Sequence, residues 1–211
     1  MSGNIIQLCE LRRGLGEPGA QPGRPRWAFD ELGGRLLEIS GQGAAASLTV
    51  AMALVLEAQT AAEPVAWITA RASTFFPPDA SDSGVDLDSL AVVRVAGARA
   101  AARAAEHLVR SGAFGLVVLD LGRHADIPMP MQGRLVGLAQ RHDAAVVCLT
   151  EKPDASPSIG SMVSLRAAAL RSEVGPAGSD RYRYKVVVLK DKRRGPHWEH
   201  AEVVRGPAGL R

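Results

Sequence analysis

Two stretches of this sequence read as strands with no wet side. Phe114–Leu121 (FGLVVLDL) and Ala144–Thr150 (AAVVCLT) are nearly continuous apolar runs. A strand with one face in water alternates polar and apolar residues, whereas a strand covered on both faces stays apolar throughout. Both faces are covered when strands lie parallel, because each parallel connection needs a dozen or more residues, usually a helix packed across the sheet. A helix-length segment, Met131–His142, lies between the two runs and supplies such a crossover.

The rest of the chain repeats this alternation. Arg35–Ser40 (RLLEIS), Val65–Thr69 (VAWIT) and Leu90–Val95 read as strands, and Ala45–Thr60 and Ala98–Arg110 as helices, the second ending before Gly112. In Ser161–Arg171, Val163, Leu165 and Ala167 alternate, which favours strand over helix. Tyr182–Leu189 and Trp198–Arg205 follow as two strands joined by a basic turn. The expected class is α/β: a mostly parallel twisted sheet flanked by helices, closed by antiparallel C-terminal strands. Gly14–Arg26 (GLGEPGAQPGRPR) is too rich in Gly and Pro for a regular element. The expected division is therefore an N-terminal segment and linker over 1–26, one core domain over 27–205, and a flexible tail over 206–211.

Composition closes off several classes. The longest apolar run, Val50–Leu56, is too short to span a bilayer. Met1–Leu8 has no charged leader followed by an apolar stretch, so a cytoplasmic location with no membrane partner is expected. Two cysteines, Cys9 and Cys148, cannot make a disulfide framework. The net charge of +3 is uneven: Arg181–Arg211 holds nine basic against three acidic residues, and the remaining 180 residues hold 16 against 19. One end of the molecule is positive, which suits either a solvated face or an anionic partner.

The turn after Arg35–Ser40 is where a phosphate-binding loop would lie. Such a loop reads G-x-x-x-x-G-K-[ST]: backbone amides cradle phosphates, the lysine reaches the β- and γ-phosphates, and the hydroxyl holds Mg²⁺. Here it reads Gly41-Gln42-Gly43-Ala44-Ala45-Ala46-Ser47-Leu48-Thr49. Counted from Gly41, Ala46 takes the second glycine's place, Ser47 the lysine's and Leu48 the metal ligand's, with Thr49 one residue late. Asp120, after four apolar residues, has the Walker B pattern, which an ordinary strand-end aspartate shares.

Arg35–Gly41 (RLLEISG), Gly84–Leu90 (GVDLDSL), Arg110–Ala113 (RSGA) and Leu116–Asp120 (LVVLD) fall in the order and spacing of the RecA recombinase core. Lys185–Lys192 (KVVVLKDK), Pro196 and Ala201-Glu202 resemble that family's last core hairpin. The resemblance spans roughly residues 30 to 205 and implies a RecA-like core.

The departures from the family are consistent with one another. The catalytic glutamate's place is taken by Arg71, and the nucleotide-sensing glutamine's by Glu151. Both DNA-binding loops are cut down, to about Gly122–Met131 and Lys152–Gly160. The polymerisation helix is at most the stub Ile5–Arg13, whose Ile5, Ile6, Leu8 and Leu11 suit packing on a partner or back on the chain's own core. The resemblance thus implies a member without ATPase activity, cofactor or metal. Lys190 and Lys192 match lysines that, in the recombinase filament, reach the nucleotide of the neighbouring subunit. With Arg193 and Arg194 they form a candidate surface for RecA, in a capping geometry. The run Lys190–Arg194 with His197 and Trp198 also reads as a nucleic-acid patch, for which weak or no direct DNA binding is expected.

A degenerate RecA-like chain with short loops resembles the ImuA family of the bacterial translesion mutagenesis cassette, its small myxobacterial members most. That resemblance implies an SOS-response protein whose partners are RecA and the polymerase homologue ImuB. Two alternatives stay open: a SulA-like cell-division inhibitor acting on the tubulin-like division protein, and an atypical NTPase using backbone amides and Asp120.

Overall fold

The computed structural model describes residues 25–43, 45–69, 75, 77–175 and 181–205. The expectations for Ile5, Ile6, Leu8, Leu11, Arg71, the linker before residue 25 and the tail 206–211 lie outside the described residues. After a single 3-10 turn at Phe29–Glu31 come β1 (Arg35–Gly41), α1 (Ser47–Thr60), β2 (Val65–Thr69), α2 (Pro77–Asp82), β3 (Leu90–Arg94) and α3 (Ala98–Arg110). They are followed by β4 (Leu116–Gly122), α4 (Met129–His142), β5 (Ala145–Glu151), β6 (Leu165–Glu173), β7 (Arg181–Asp191) and β8 (Glu199–Arg205).

The strands form one sheet in the order β3-β2-β4-β5-β1-β6-β7-β8. The first six run parallel, β7 pairs antiparallel to β6, and β8 pairs antiparallel to β7. This is the α/β class expected from the sequence. β1, β2 and β4 are buried along their whole length, so alternate residues feed two separate cores. On one face Leu37, Ile39, Trp67, Val118 and Val147 pack under α1, whose Val50, Ala51, Leu54, Val55 and Ala58 recur at helical spacing. On the other, Leu36, Ile68, Val117 and Val146 pack under α3 and α4. The small residues Ala101, Ala102 and Ala105 let α3 sit close to the sheet.

Several element ends shift by one to four residues from the sequence reading, two helix starts for a clear local reason, and one short helix was not anticipated. Helix α1 starts at Ser47 rather than Ala45, because Ala46 takes the non-helical capping conformation. Helix α4 starts at Met129, with a proline in its first turn, where a missing N–H costs nothing. The short α2, opened by Pro77, carried no periodic signal long enough to anticipate. Ser161–Arg171 resolves to strand: β6 begins at Leu165 and runs to Glu173.

The C-terminal hairpin is fastened to the start of the core. Arg35 Nη2 donates to Asp191 Oδ1 at 2.6 Å, and both side chains are buried. Asp191 also accepts from the Arg193 N–H at 2.9 Å and from the Trp198 indole at 3.3 Å. Trp198 meets Trp27 with ring centroids 6.4 Å apart. Among the described residues no helix is long and apolar enough to cross a membrane.

Candidate functional site

The carboxyl ends of parallel strands are where an open α/β sheet carries its ligands. Here those ends bring Gly41, Asp120, Glu151 and the β5–β6 loop together. Gly41 and Glu151 are register partners across β1 and β5, and Asp120 lies opposite Thr69 and Leu149. Asp120 is buried and points to the α1 side, because it continues the phase of Leu116 and Val118.

The glycine loop Gly41–Thr49 holds no lysine or arginine. A Cβ on Gly41 would overlap Ala45 Cβ and Ser47 Oγ, so only glycine fits there. Gly43 has φ +64°, the left-handed region that glycine adopts without strain. Leu48, at the metal ligand's position, is an exposed apolar side chain. Thr49 is turned away to β7, its Oγ1 3.1 Å from the Tyr182 hydroxyl. Ala46 caps α1 with no side-chain hydrogen bond.

The two shortened loops are tied to each other. Glu151 accepts from Arg123 Nε at 2.9 Å and Nη2 at 2.7 Å, and that carboxylate raises the Arg123 guanidinium above its ordinary value. Buried Gln132 donates to the carbonyls of Ile127 and Ile159, one on each loop. An open cleft of about 400 Å³ remains between them, lined by Arg123, His124, Asp126, Glu151 and Lys152 among others.

Beside this cleft the structure gathers four cations. On the fully buried Glu38, Oε1 lies 2.5 Å from Lys152 Nζ and accepts from Thr150 Oγ1 at 2.9 Å; Oε2 accepts from the Ile159 N–H at 2.9 Å. Arg166 is also buried. It donates to the carbonyls of Ser156 and Pro153 and to Ser40 Oγ, and its Nε is buried without an acceptor. Lys190 stands directly opposite Arg166 across β6 and β7, at a bulge that moves the register by one residue. Lys192 donates to the Ser161 carbonyl at 2.6 Å, and Lys190 lies 3.5 Å from Ser158 Oγ. Burial first, then the charges of Lys192 and Arg166, pull the Lys190 ammonium below its ordinary value, against the pull of Glu38. Glu38 is the buried carboxylate of the group, Asp191 is committed to Arg35, and Asp154 is exposed on the loop itself. Positive charge is therefore in surplus here.

Of the residues singled out from sequence, Lys190 and Lys192 join this cluster. Arg193 and Arg194 do not; they point to the chain's own start, Arg193 donating to the Gly33 carbonyl and Arg194 pairing with Glu31. Sequence reasoning missed Glu38 and Arg166, although each is a charge inside an otherwise apolar strand (RLLEIS and VSLRAAAL), which is itself the signal of a buried charge held by hydrogen bonds. Burial pushes the Cys148 thiol up, which leaves it unreactive. Among the described residues no three His, Cys, Asp or Glu side chains group as metal ligands.

Comparison with known proteins gives a consistent picture. The RecA N-terminal domain family model matches residues 31–147. Protein RecA of Nocardioides sp. is 38% identical over 112 residues, covering 51% of this chain and 32% of that protein. Protein RecA of Cytophaga hutchinsonii is 32% identical over 119 residues, covering 51% of this chain and 33% of that protein. The chain thus aligns with about a third of the length of these curated relatives. The crystal structure of the RadB recombinase superposes with a TM-score of 0.59 at 15% identity, covering 81% of this chain and 87% of that one, a likeness of fold.

Proposed function

The chain belongs to the RecA N-terminal domain family, and from that premise we propose that it is a non-catalytic accessory member that acts on RecA itself. The observation that carries this reading is a contrast between two parts of one site. The loop Gly41–Thr49 has no cation and presents leucine where a metal ligand is needed, a donor set that does not fit a magnesium–nucleoside triphosphate. The hairpin tip has too many cations: Lys190 and Arg166 face each other across the sheet with Lys192 alongside. Like charges directly opposite in a sheet are unfavourable and are relieved by an anion from outside. A chain of this kind cannot grip its own nucleotide yet offers cations to a neighbour's phosphates. Docked on one end of a RecA filament, it complements the last subunit and presents no competent site for the next.

The same reading places the chain with ImuA in SOS-induced translesion synthesis, with ImuB as second partner. The short, mutually tied loops Gly122–Pro128 and Lys152–Ser164 favour a protein-docking role over a grip on single-stranded DNA.

Co-sedimentation with RecA filaments assembled on single-stranded DNA tests this directly. The wild-type chain is expected to pellet with the filaments and to saturate well below one copy per RecA subunit, as an end-binder must. Lys190→Ala with Lys192→Ala, which leaves the buried Glu38–Lys152 pair in place, is expected to stay in the supernatant. Equal pelleting of the double variant removes the hairpin from the interface. No pelleting of the wild type removes RecA as the partner and returns the choice to a SulA-like role on the division protein.

A further inference from the structure

The two faces of the sheet are clothed very differently. Helix α1 (SLTVAMALVLEAQT) has no lysine or arginine, whereas α3 and α4 together carry Arg99, Arg103, Arg110, Arg134 and Arg141 against the single carboxylate Glu106. The side of α3 that packs on the sheet is fixed by the buried Ala101, Ala102, Ala105 and Val109. At about 100° per residue, Arg99, Arg103, Glu106 and Arg110 then fall within about 60° of one another, on the flank of the helix about a third of a turn from that stripe, where Glu106 meets α4. They form a straight ridge about 16 Å long from Arg99 to Arg110. Arg99, Arg103 and Arg110 are exposed along it.

Glu106 does not cancel this ridge; it organises it. Its Oε1 accepts from Arg110 Nη2 at 2.5 Å and its Oε2 from Arg134 Nε at 2.9 Å, which locks α4's arginine beside α3's. The Arg134 hydrogen bond first, then Arg110, outweigh desolvation and hold the Glu106 carboxyl below the usual range. One carboxylate shared by two guanidinium groups leaves a surplus of one charge at that point. Asp126 reaches Arg99 only at 3.9 Å with both side chains largely in water, a pair of little strength. Arg103 and Arg141 have no acidic partner among the described residues.

We propose that this α3–α4 face binds the phosphate backbone of a nucleic-acid duplex through Arg99, Arg103, Arg110 and Arg134. The guanidinium fork matches phosphate oxygens two at a time, and a rigid helical ridge matches a rigid, regularly charged backbone. A single strand fits less well, because its binders add base stacking on aromatic rings, and neither helix contains Phe, Tyr or Trp. An acidic protein fits less well too: protein interfaces have an apolar centre, and the ridge from Arg99 to Arg110 exposes no large apolar side chain. The contact reads no sequence, since it reaches only the backbone. This surface is separate from the Lys190 hairpin and stands whether or not the chain docks on RecA.

The test is fluorescence anisotropy of a labelled mixed-sequence duplex of about 30 base pairs, titrated with the full chain between about 50 and about 200 mM salt. The wild type is expected to bind, with affinity falling steeply as salt rises. Arg99→Ala with Arg103→Ala, both exposed so that the helix is preserved by circular dichroism, is expected to weaken binding about tenfold at low salt and to flatten the salt slope by about 2. Lys190→Ala with Lys192→Ala is expected to leave that slope intact. The proposal is overturned if the duplex fails to bind at the lowest salt, or if the hairpin variant rather than the helix variant loses binding. It is also overturned if a single strand of the same length binds more tightly, or if polyglutamate competes as well as the duplex at equal charge.

Discussion

Replacing Asp191 by alanine is expected to remove about 3–5 kcal/mol of folding stability, a large share of the roughly 5–15 kcal/mol that holds a domain folded. The carboxylate accepts from Arg35, the Arg193 N–H and the Trp198 indole in one buried place. Alanine leaves the Arg35 guanidinium buried with only Ser164 for company. Arg35→Met with Asp191→Leu is expected to recover most of the loss, because a buried pair contributes little over a well-packed apolar pair although breaking it is costly. Urea denaturation of the three chains at neutral pH checks both statements; a loss under about 1 kcal/mol for Asp191→Ala contradicts the first.

The same pair predicts a pH dependence with a definite sign. Burial works against the charged Asp191, but its three donors and the Arg35 charge more than offset it and hold the carboxyl below the usual range. Burial also lowers the Arg35 guanidinium, yet an arginine starts so far above neutrality that it stays charged. A carboxylate lowered on folding contributes stability that is complete above its unfolded value, about 3.9, and is lost as pH falls from there through the folded value. The wild type is expected to show this acid limb, and Asp191→Ala to show a shallower one.

The second large effect is expected at Glu38. Glu38→Gln keeps the shape of the side chain but leaves Lys152, Arg166, Lys190 and Lys192 around the β5–β6 loop without their buried carboxylate. A cost of about 2–4 kcal/mol follows, toward the low side for a broken buried pair because Lys152 keeps some contact with water. The damage is local: the Ile159 amide loses its charged acceptor, so its hydrogen exchange should accelerate more than that of the β1 core. Adding Lys152→Met to Glu38→Gln is expected to restore part of the stability. If the double variant is less stable than Glu38→Gln alone, the loop is held by something other than this charge balance.

The architecture was legible because it rests on local pattern. Nearly continuous apolar strands such as Val65–Thr69 and Leu116–Gly122 and the alanine stripe of α3 each declare their packing within a few residues. The order of short motifs from Arg35 to Glu202 supplied the rest. The site was legible only in part, since its partners come from distant points of the chain. Arg35 and Asp191 are 156 residues apart, and nothing local to either names the other. Lys190 and Lys192 could be singled out, but their placement against Arg166 depends on a bulge in the β6–β7 pairing that displaces Val188 and Lys190 by one step. Arg193 and Arg194 look equivalent to the lysines along the sequence; the turn of the hairpin directs them to Glu31 and Gly33 instead.

The central claim is that this member of the RecA N-terminal domain family does no nucleotide chemistry of its own and acts on a neighbour that does. It is tested most directly by the ATPase rate of RecA on single-stranded DNA as the chain is titrated in, with the chain alone as control. The account predicts no turnover by the chain alone, a change in RecA turnover that saturates below one chain per RecA, and no such change with Lys190→Ala and Lys192→Ala. Turnover by the chain alone, or a RecA rate indifferent to its presence, would contradict it.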